Sequence, residues 1–228
     1  MADPLPLKLD AQGLVPVVVQ DDLTGEVRMV AYATLEAVQK TLETGRATFW
    51  SRSRGALWEK GLTSGNAIAV HRVLVDCDAD CVLYASDPRG PSCHTGAESC
   101  FFQVLAGGAI APTPHAPQTL LATLEALLEA RKEATGVASY TKSLYDGGPR
   151  AISAKIREEA TELGHALESE SDDRVVSEAA DTLYHLVVGL RFRAIPLRRV
   201  LAELARRLGK GGHEEKAQRS RKQAPPQA

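Results

Sequence analysis

Long apolar runs are absent from this 228-residue chain. No stretch approaches the roughly 20 apolar residues that a bilayer-spanning helix needs. Charge imbalance is also lacking: 27 Lys+Arg stand against 29 Asp+Glu, a formal net charge of −2. Such a balance gives no general attraction to nucleic acid or to a membrane surface. The first ten residues lack the basic-then-apolar layout of a secretory leader, so none is expected. Cysteine is scarce, with four residues and no Cys-x-x-Cys knuckle, which argues against a structural zinc ribbon. The Pro-Cys-x-x-Cys string of zinc deaminases does not occur either. Internal repeats are missing. What remains, 44% hydrophobic and 25% charged, is the composition of an ordinary globular protein. Its few cysteines point to a reducing compartment, with the cytoplasm as the expected location.

The apolar period changes once along the chain. Residues 14–20 are β-branched and short, so they read as a strand, with Pro16 favouring a sheet edge. Turn chemistry follows, and residues 27–33 read as the returning strand of a hairpin. Thr34 has the chemistry of an N-cap; Leu35, Val38 and Leu42 keep helical spacing, and Gly45 closes that helix. Four more short strands are expected over 47–53, 57–60, 67–76 and 81–86. Residues 106–117 are small and proline-rich, as a linker would be. Beyond them the spacing predicts a helix from Leu120 to near Gly136, a loop over 140–149, long helices over 152–167 and 175–192, and a last helix from Pro196 to about Leu208. The polar segment 209–228 lacks apolar periodicity and is expected to be disordered. The fold class is therefore α+β: a β-rich domain with one or two helices (1–110), a linker (111–117), and an all-α domain (118–208).

Two constellations carry chemistry. In the first half, Asp76-Cys77-Asp78-Ala79-Asp80 interleaves hard carboxylates with a soft thiol, and Cys93 and Cys100 follow. Carboxylates suit magnesium and thiolates suit zinc. An EF-hand is excluded, because Cys81 and Asp87 stand where that loop needs Gly and Glu. Three thiolates would leave a fourth zinc position open, the arrangement of a catalytic site. The alternative is an acidic turn beside three small buried hydrophobes, which fits poorly with two cysteines in a Gly, Ser and Pro-rich loop. Cys81, in an apolar strand, reads as core. In the second half, Glu159 with Glu162 and Glu178 with Asp181 are carboxylate pairs at i, i+3 on successive helices, and Glu158 adjoins them. A solvated acidic face is the plain alternative to a magnesium site.

The motifs Asp76-Cys77-Asp78-Ala79-Asp80, Gly90-Pro91-Ser92-Cys93-His94-Thr95-Gly96 and Ser99-Cys100-Phe101 resemble those of phosphoribosyl-AMP cyclohydrolase. So do Phe49-Trp50-Ser51-Arg52-Ser53-Arg54, Leu57-Trp58-Glu59-Lys60-Gly61 and Thr63-Ser64-Gly65, and the likeness covers about residues 14–105. It implies hydrolytic opening of an adenine ring, zinc on Cys77, Cys93 and Cys100, and magnesium on Asp76, Asp78 and Asp80. It further implies a homodimer in which Cys77 reaches the zinc across the interface. His94 is a candidate general base or proton shuttle. Arg52, Arg54, Lys60, Thr63 and Ser64 are candidate substrate contacts, the cations suiting phosphate.

Ser139-Tyr140-Thr141, the run from Lys155 to Glu162 and the run from Glu178 to Leu186 resemble phosphoribosyl-ATP pyrophosphatase, an all-α relative of the MazG-type pyrophosphohydrolases. That resemblance implies magnesium on Glu158, Glu159, Glu162, Glu178 and Asp181, with water attack releasing pyrophosphate. Arg157 and Gly164-His165 depart from the pattern. The whole chain thus resembles a bifunctional enzyme of histidine biosynthesis that acts on phosphoribosyl nucleotides. An alternative leaves only the cyclohydrolase half active and the helical half structural or dimerising. A third reading, a zinc-stabilised β module on a helical dimerisation domain, would show no hydrolysis.

Overall fold

A computed structural model describes residues 5–113, 119–133 and 139–208. The chain divides into two compact units, Met1–Leu124 and Glu125–Ala228. No described helix is long and apolar enough to cross a membrane. The architecture is α+β, a curled sheet with one helix followed by an all-helical region.

In the first unit, β1 (Val15–Asp21) alternates buried and half-buried residues along its length, as a strand with one core face must. A turn returns the chain as β2 (Val27–Ala33), antiparallel to β1. Helix α1 (Leu35–Thr44) starts where Thr34 accepts the Ala37 N–H and stops at Gly45, which adopts φ 64. Then come β3 (Thr48–Ser51), β4 (Ala56–Glu59), β5 (Ile68–Val75) and β6 (Val82–Pro88). The sheet order is β4-β3-β2-β1-β6-β5, with β1 and β6 parallel. Ala47 N–H donates to the Ile68 carbonyl over 3.1 Å and Val70 N–H to the Gly45 carbonyl over 2.8 Å, so the sheet curls until the start of β3 meets β5. Val15, Val17, Val19, Val38, Phe49, Ile68, Val82 and Tyr84 fill the interior.

Pro16 corrects the expectation of an edge strand: β1 lies inside the sheet. The proline is tolerated because pairing with β6 begins only at Val17, so the missing N–H costs no ladder bond on that side. A second difference is a hairpin, β7 (Gln103–Ala106) with β8 (Ala109–Pro112), turning at Gly107-Gly108 inside the stretch read as linker. Both glycines have positive φ, the requirement of a tight two-residue turn. The rest of that stretch, 114–117, and the expected disorder of 209–228 lie outside the described residues.

The helical region comprises α2 (Leu120–Glu133), α3 (Tyr140–Asp146), α4 (Gly148–Ser169), α5 (Asp172–Phe192) and α6 (Leu197–Arg207). Helix α3 occupies the expected loop: Ser139 caps it by accepting the Lys142 N–H, and Leu144 and Tyr145 give it a buried face. Helices α4 and α5 run antiparallel, with Ile152 and Ile156 each 3.4 Å from where a Cβ on Gly189 would stand, and Glu162 facing Glu178. Leu128, Ile152, Val187 and Val188 form the interior. Arg191 ties α5 to α2 through Glu125 at 3.0 Å and Glu129 at 2.6 Å.

Candidate metal and substrate sites

The turn between β5 and β6 presents the aspartates. Asp76 accepts the N–H groups of Asp80 and Cys81, both at 3.0 Å, and Ala79 takes φ 65 to close the turn. The Cys81 N–H, foremost among these donors, holds the Asp76 carboxyl below its usual range. Asp80 is pushed up instead, by the charges of Asp78 and then Asp76. All three carboxylates are exposed, and each offers an oxygen within 4.8 Å of the others. Crowded, mutually repelling oxygens on a tight turn suit a hard divalent cation.

Cys93 and Cys100 both lie on the loop after β6, close enough that each acts on the other's protonation. Burial pushes the Cys93 thiol up, but hydrogen bonds led by Thr95, whose hydroxyl lies 3.1 Å away, leave it below the ordinary thiol range. Burial and then the neighbouring Cys93 push Cys100 up to about 11, against a downward pull from Lys60. This soft donor pair, one member inclined to the thiolate, fits zinc. His94 is exposed, with Nδ1 3.8 Å from Cys93 Sγ. Cys77 is also exposed, 3.9 Å from Asp78 Oδ1; among the described residues it forms no cluster with the other two thiols. Cys81, expected in the core, is half-buried, with its thiol raised by burial and by Asp76.

Lys60, whose charge acts on Cys100, lines a cavity of about 300 Å³ with Arg54, Thr63, Ser64, Trp58 and Gly61. Gly61 sits at φ 87, and an added Cβ would come 2.2 Å from Ala67 N, so the cavity wall depends on glycine there. Arg52 stands apart from that lining, its guanidinium 4.0 Å over the Tyr32 ring.

In the helical unit, Glu159, Glu178 and Asp181 each offer an oxygen within 4.8 Å of the others. Glu159 and Glu178 are buried, Asp181 is exposed. Glu162 adjoins them, its carboxyl raised by desolvation and then by Glu178, Glu159 and Glu158. Glu158 points to Lys155 at 3.0 Å and is outside the close trio. Arg157 and His165, the two departures from pattern, are both exposed.

Other residues of this site are marked in the sequence only by their helical spacing of four. Lys155 Nζ lies 2.8 Å from Glu159, and Arg174 Nη2 lies 2.5 Å from Glu178. His185, only 3% exposed, places Nδ1 2.8 Å from the Asp181 carbonyl and Nε2 2.8 Å from the Tyr140 hydroxyl. Its spacing of four from Asp181 put it on the acidic face, which was the one available hint.

Residues 29–102 match the phosphoribosyl-AMP cyclohydrolase family, and residues 121–208 match the phosphoribosyl-ATP pyrophosphohydrolase family. The chain is 42% identical over 212 residues to the histidine biosynthesis bifunctional protein HisIE of Wolinella succinogenes, covering 90% of this chain and 93% of that one. It is 43% identical over 196 residues to the protein of the same name from Pyrococcus furiosus (86% and 91% covered), and 41% identical over 204 residues to that of Aquifex aeolicus (89% and 98%). Likeness of this extent, spanning both units in order, makes the chain a member of the bifunctional HisIE family: a histidine-biosynthesis hydrolase with its cyclohydrolase domain first and its pyrophosphohydrolase domain second.

Proposed function

We propose that the two acts of hydrolysis use two separate metal centres on this chain. Glu159, Glu178 and Asp181, with Glu162 and Glu158 beside them, hold magnesium for the release of pyrophosphate from phosphoribosyl-ATP. The observation that carries this is two buried carboxylates, on facing helices, converging with a third within 4.8 Å. Burying like charges together calls for cations; Lys155 and Arg174 each stand beside one of the buried acids, and the convergent trio of oxygens suits a divalent ion.

In the first half, Cys93 and Cys100 hold zinc together with Cys77 of the partner subunit, and Asp76, Asp78 and Asp80 hold magnesium. Zinc in such a site supplies the Lewis acidity that makes water nucleophilic near neutral pH. The residues do the remainder. Arg54, Lys60, Thr63 and Ser64 receive substrate phosphate in their cavity, Arg52 adds a cation outside it, and His94 moves the proton. A homodimer is supported by the separation of Cys77 from the other thiols. It is supported too by apolar surface beside each half of that split site: Leu74 and Val75 before Cys77, and Phe101, Val104, Leu105 and Ile110 after Cys100. Residues 1–110 and 118–208 are taken as the two domains, joined by 111–117. A biosynthetic role and four free cysteines favour the cytoplasm.

The test supplies phosphoribosyl-ATP with both metals and follows pyrophosphate and ring-opened product. Glu178→Ala is expected to abolish pyrophosphate release while leaving ring opening of supplied phosphoribosyl-AMP intact, and Cys93→Ala the converse. Loss of both reactions in either folded variant would overturn the two-centre reading.

A further inference from the structure

We propose that Arg28 is a positioning residue for the thiol pair, clamping both legs of the loop that carries Cys93 and Cys100; this rests on the reading of that pair as zinc ligands. Residues 89–102 contain neither helix nor strand, so the separation of the two thiols depends on tethers. Within the loop, Ser92 N–H donates to the Glu98 carbonyl over 3.2 Å and Cys93 N–H to the Ala97 carbonyl over 3.0 Å. These bonds shape the turn without fixing it to the sheet.

Arg28, on β2, does the fixing. The residue is 6% exposed, and a buried guanidinium must place its donors on acceptors. Nε donates to Ser92 Oγ and Nη2 to the Gly90 carbonyl, both at 3.3 Å, which holds the leg leading to Cys93. The same Nη2 pairs with the Glu98 carboxylate on the leg leading to Cys100. Nη1 reaches Glu26 at 3.3 Å, anchoring the group to the turn that leads into β2. The Arg28 carbonyl accepts the Cys100 N–H over 2.9 Å. Each cysteine is preceded by a buried serine tied to β2: Ser92 through Arg28 itself, and Ser99 through the Val27 carbonyl at 2.8 Å. Arg28 is therefore the side chain that spans both legs.

Groups that orient metal ligands typically alter metal affinity about 10–100-fold when removed. In the full-length protein, Arg28→Met is expected to weaken zinc binding by about that factor, measured by competition with a chromophoric zinc chelator. Arg28→Lys, which supplies a point charge but no fork, should recover part of the loss. The melting midpoint of the metal-free protein is followed in parallel. A purely structural Arg28 would lower that midpoint and leave zinc affinity unchanged, and this result overturns the proposal. Should Arg28→Met fail to fold, Ser92→Ala and Glu98→Gln each release one leg; weaker zinc binding in either supports the clamp, and unchanged affinity in both overturns it. Absence of zinc binding by the unsubstituted chain would overturn the metal reading beneath the proposal as well.

Discussion

Arg174 places Nη2 2.5 Å from a carboxylate oxygen of Glu178, one helical turn along α5. Lys155 does the same for Glu159 on α4, at 2.8 Å. Both buried acids of the trio thus carry a protein cation, and a divalent ion must compete with it. Arg174→Ala is expected to destabilise the metal-free chain only slightly, because the Arg174 side chain is 56% exposed. The same change should lower the magnesium concentration that gives half-maximal thermal stabilisation. Melting curves across a magnesium titration decide it; a higher magnesium requirement would mean that Arg174 helps to hold the site open.

Each unit contains a tyrosine whose hydroxyl is raised to about 12, Tyr84 in the sheet and Tyr145 on α3, in both cases chiefly by burial. A phenol is neutral when protonated, so a raised folded-state value favours folding while the proton stays on. That contribution is complete below the ordinary value near 10 and is lost as pH climbs towards 12. Tyr84→Phe should flatten the alkaline decline of the first unit and Tyr145→Phe that of the second. The two tryptophans, Trp50 and Trp58, both lie in the first unit. Tryptophan fluorescence therefore reads one unit, and far-ultraviolet circular dichroism is weighted towards the other. An unchanged alkaline slope in Tyr84→Phe would sink the claim for the sheet.

Two glycines of the loop after β4 should respond unequally to alanine. Gly61, at φ 87 with Ala67 N 2.2 Å from an added Cβ, combines strain with a backbone collision. Gly65, at φ 76, has open space around it. Gly65→Ala is expected to cost about 1 kcal/mol, and Gly61→Ala at least about 3 kcal/mol with loss of phosphate affinity in the neighbouring cavity. Denaturant unfolding checks the order, and equal costs would contradict it.

Leu105 and Ile110, at 74% and 69% exposed, face solvent from the β7–β8 hairpin. A two-stranded ribbon is marginal alone, so the proposed dimer is expected to cover it. Leu105→Glu with Ile110→Glu should shift sedimentation towards monomer and reduce bound zinc together. Loss of dimer with full zinc content would separate the hairpin from the shared site.

Much of this was visible in one dimension because its causes are local. The strand alternation of β1, the Thr34 and Gly45 caps of α1, and the i, i+3 carboxylates of α4 and α5 each involve neighbours in sequence. Pro16 misled because position along a strand, rather than strand type, decides whether a missing N–H matters. The hairpin β7–β8 was hidden in a composition that also suits a linker. Arg28 left no local sign at all: its partners Ser92 and Glu98 lie 64 and 70 residues away. The pairing of Arg174 with Glu178 was readable as an i, i+4 contact, but its burial was not.

The parallel pairing of β1 with β6 has a consequence for biogenesis. Val17 to Asp21 cannot find Val82 to Ser86 until the intervening helix and four strands have been made. Until then β1 keeps one unpaired edge, lined by valines, next to a finished hairpin partner. Helices α4 and α5, by contrast, zip from a short turn between them. Loops that close over long separations slow folding. The sheet is therefore the slow and adhesive half on the ribosome, the part most in need of a chaperone, although it is made first.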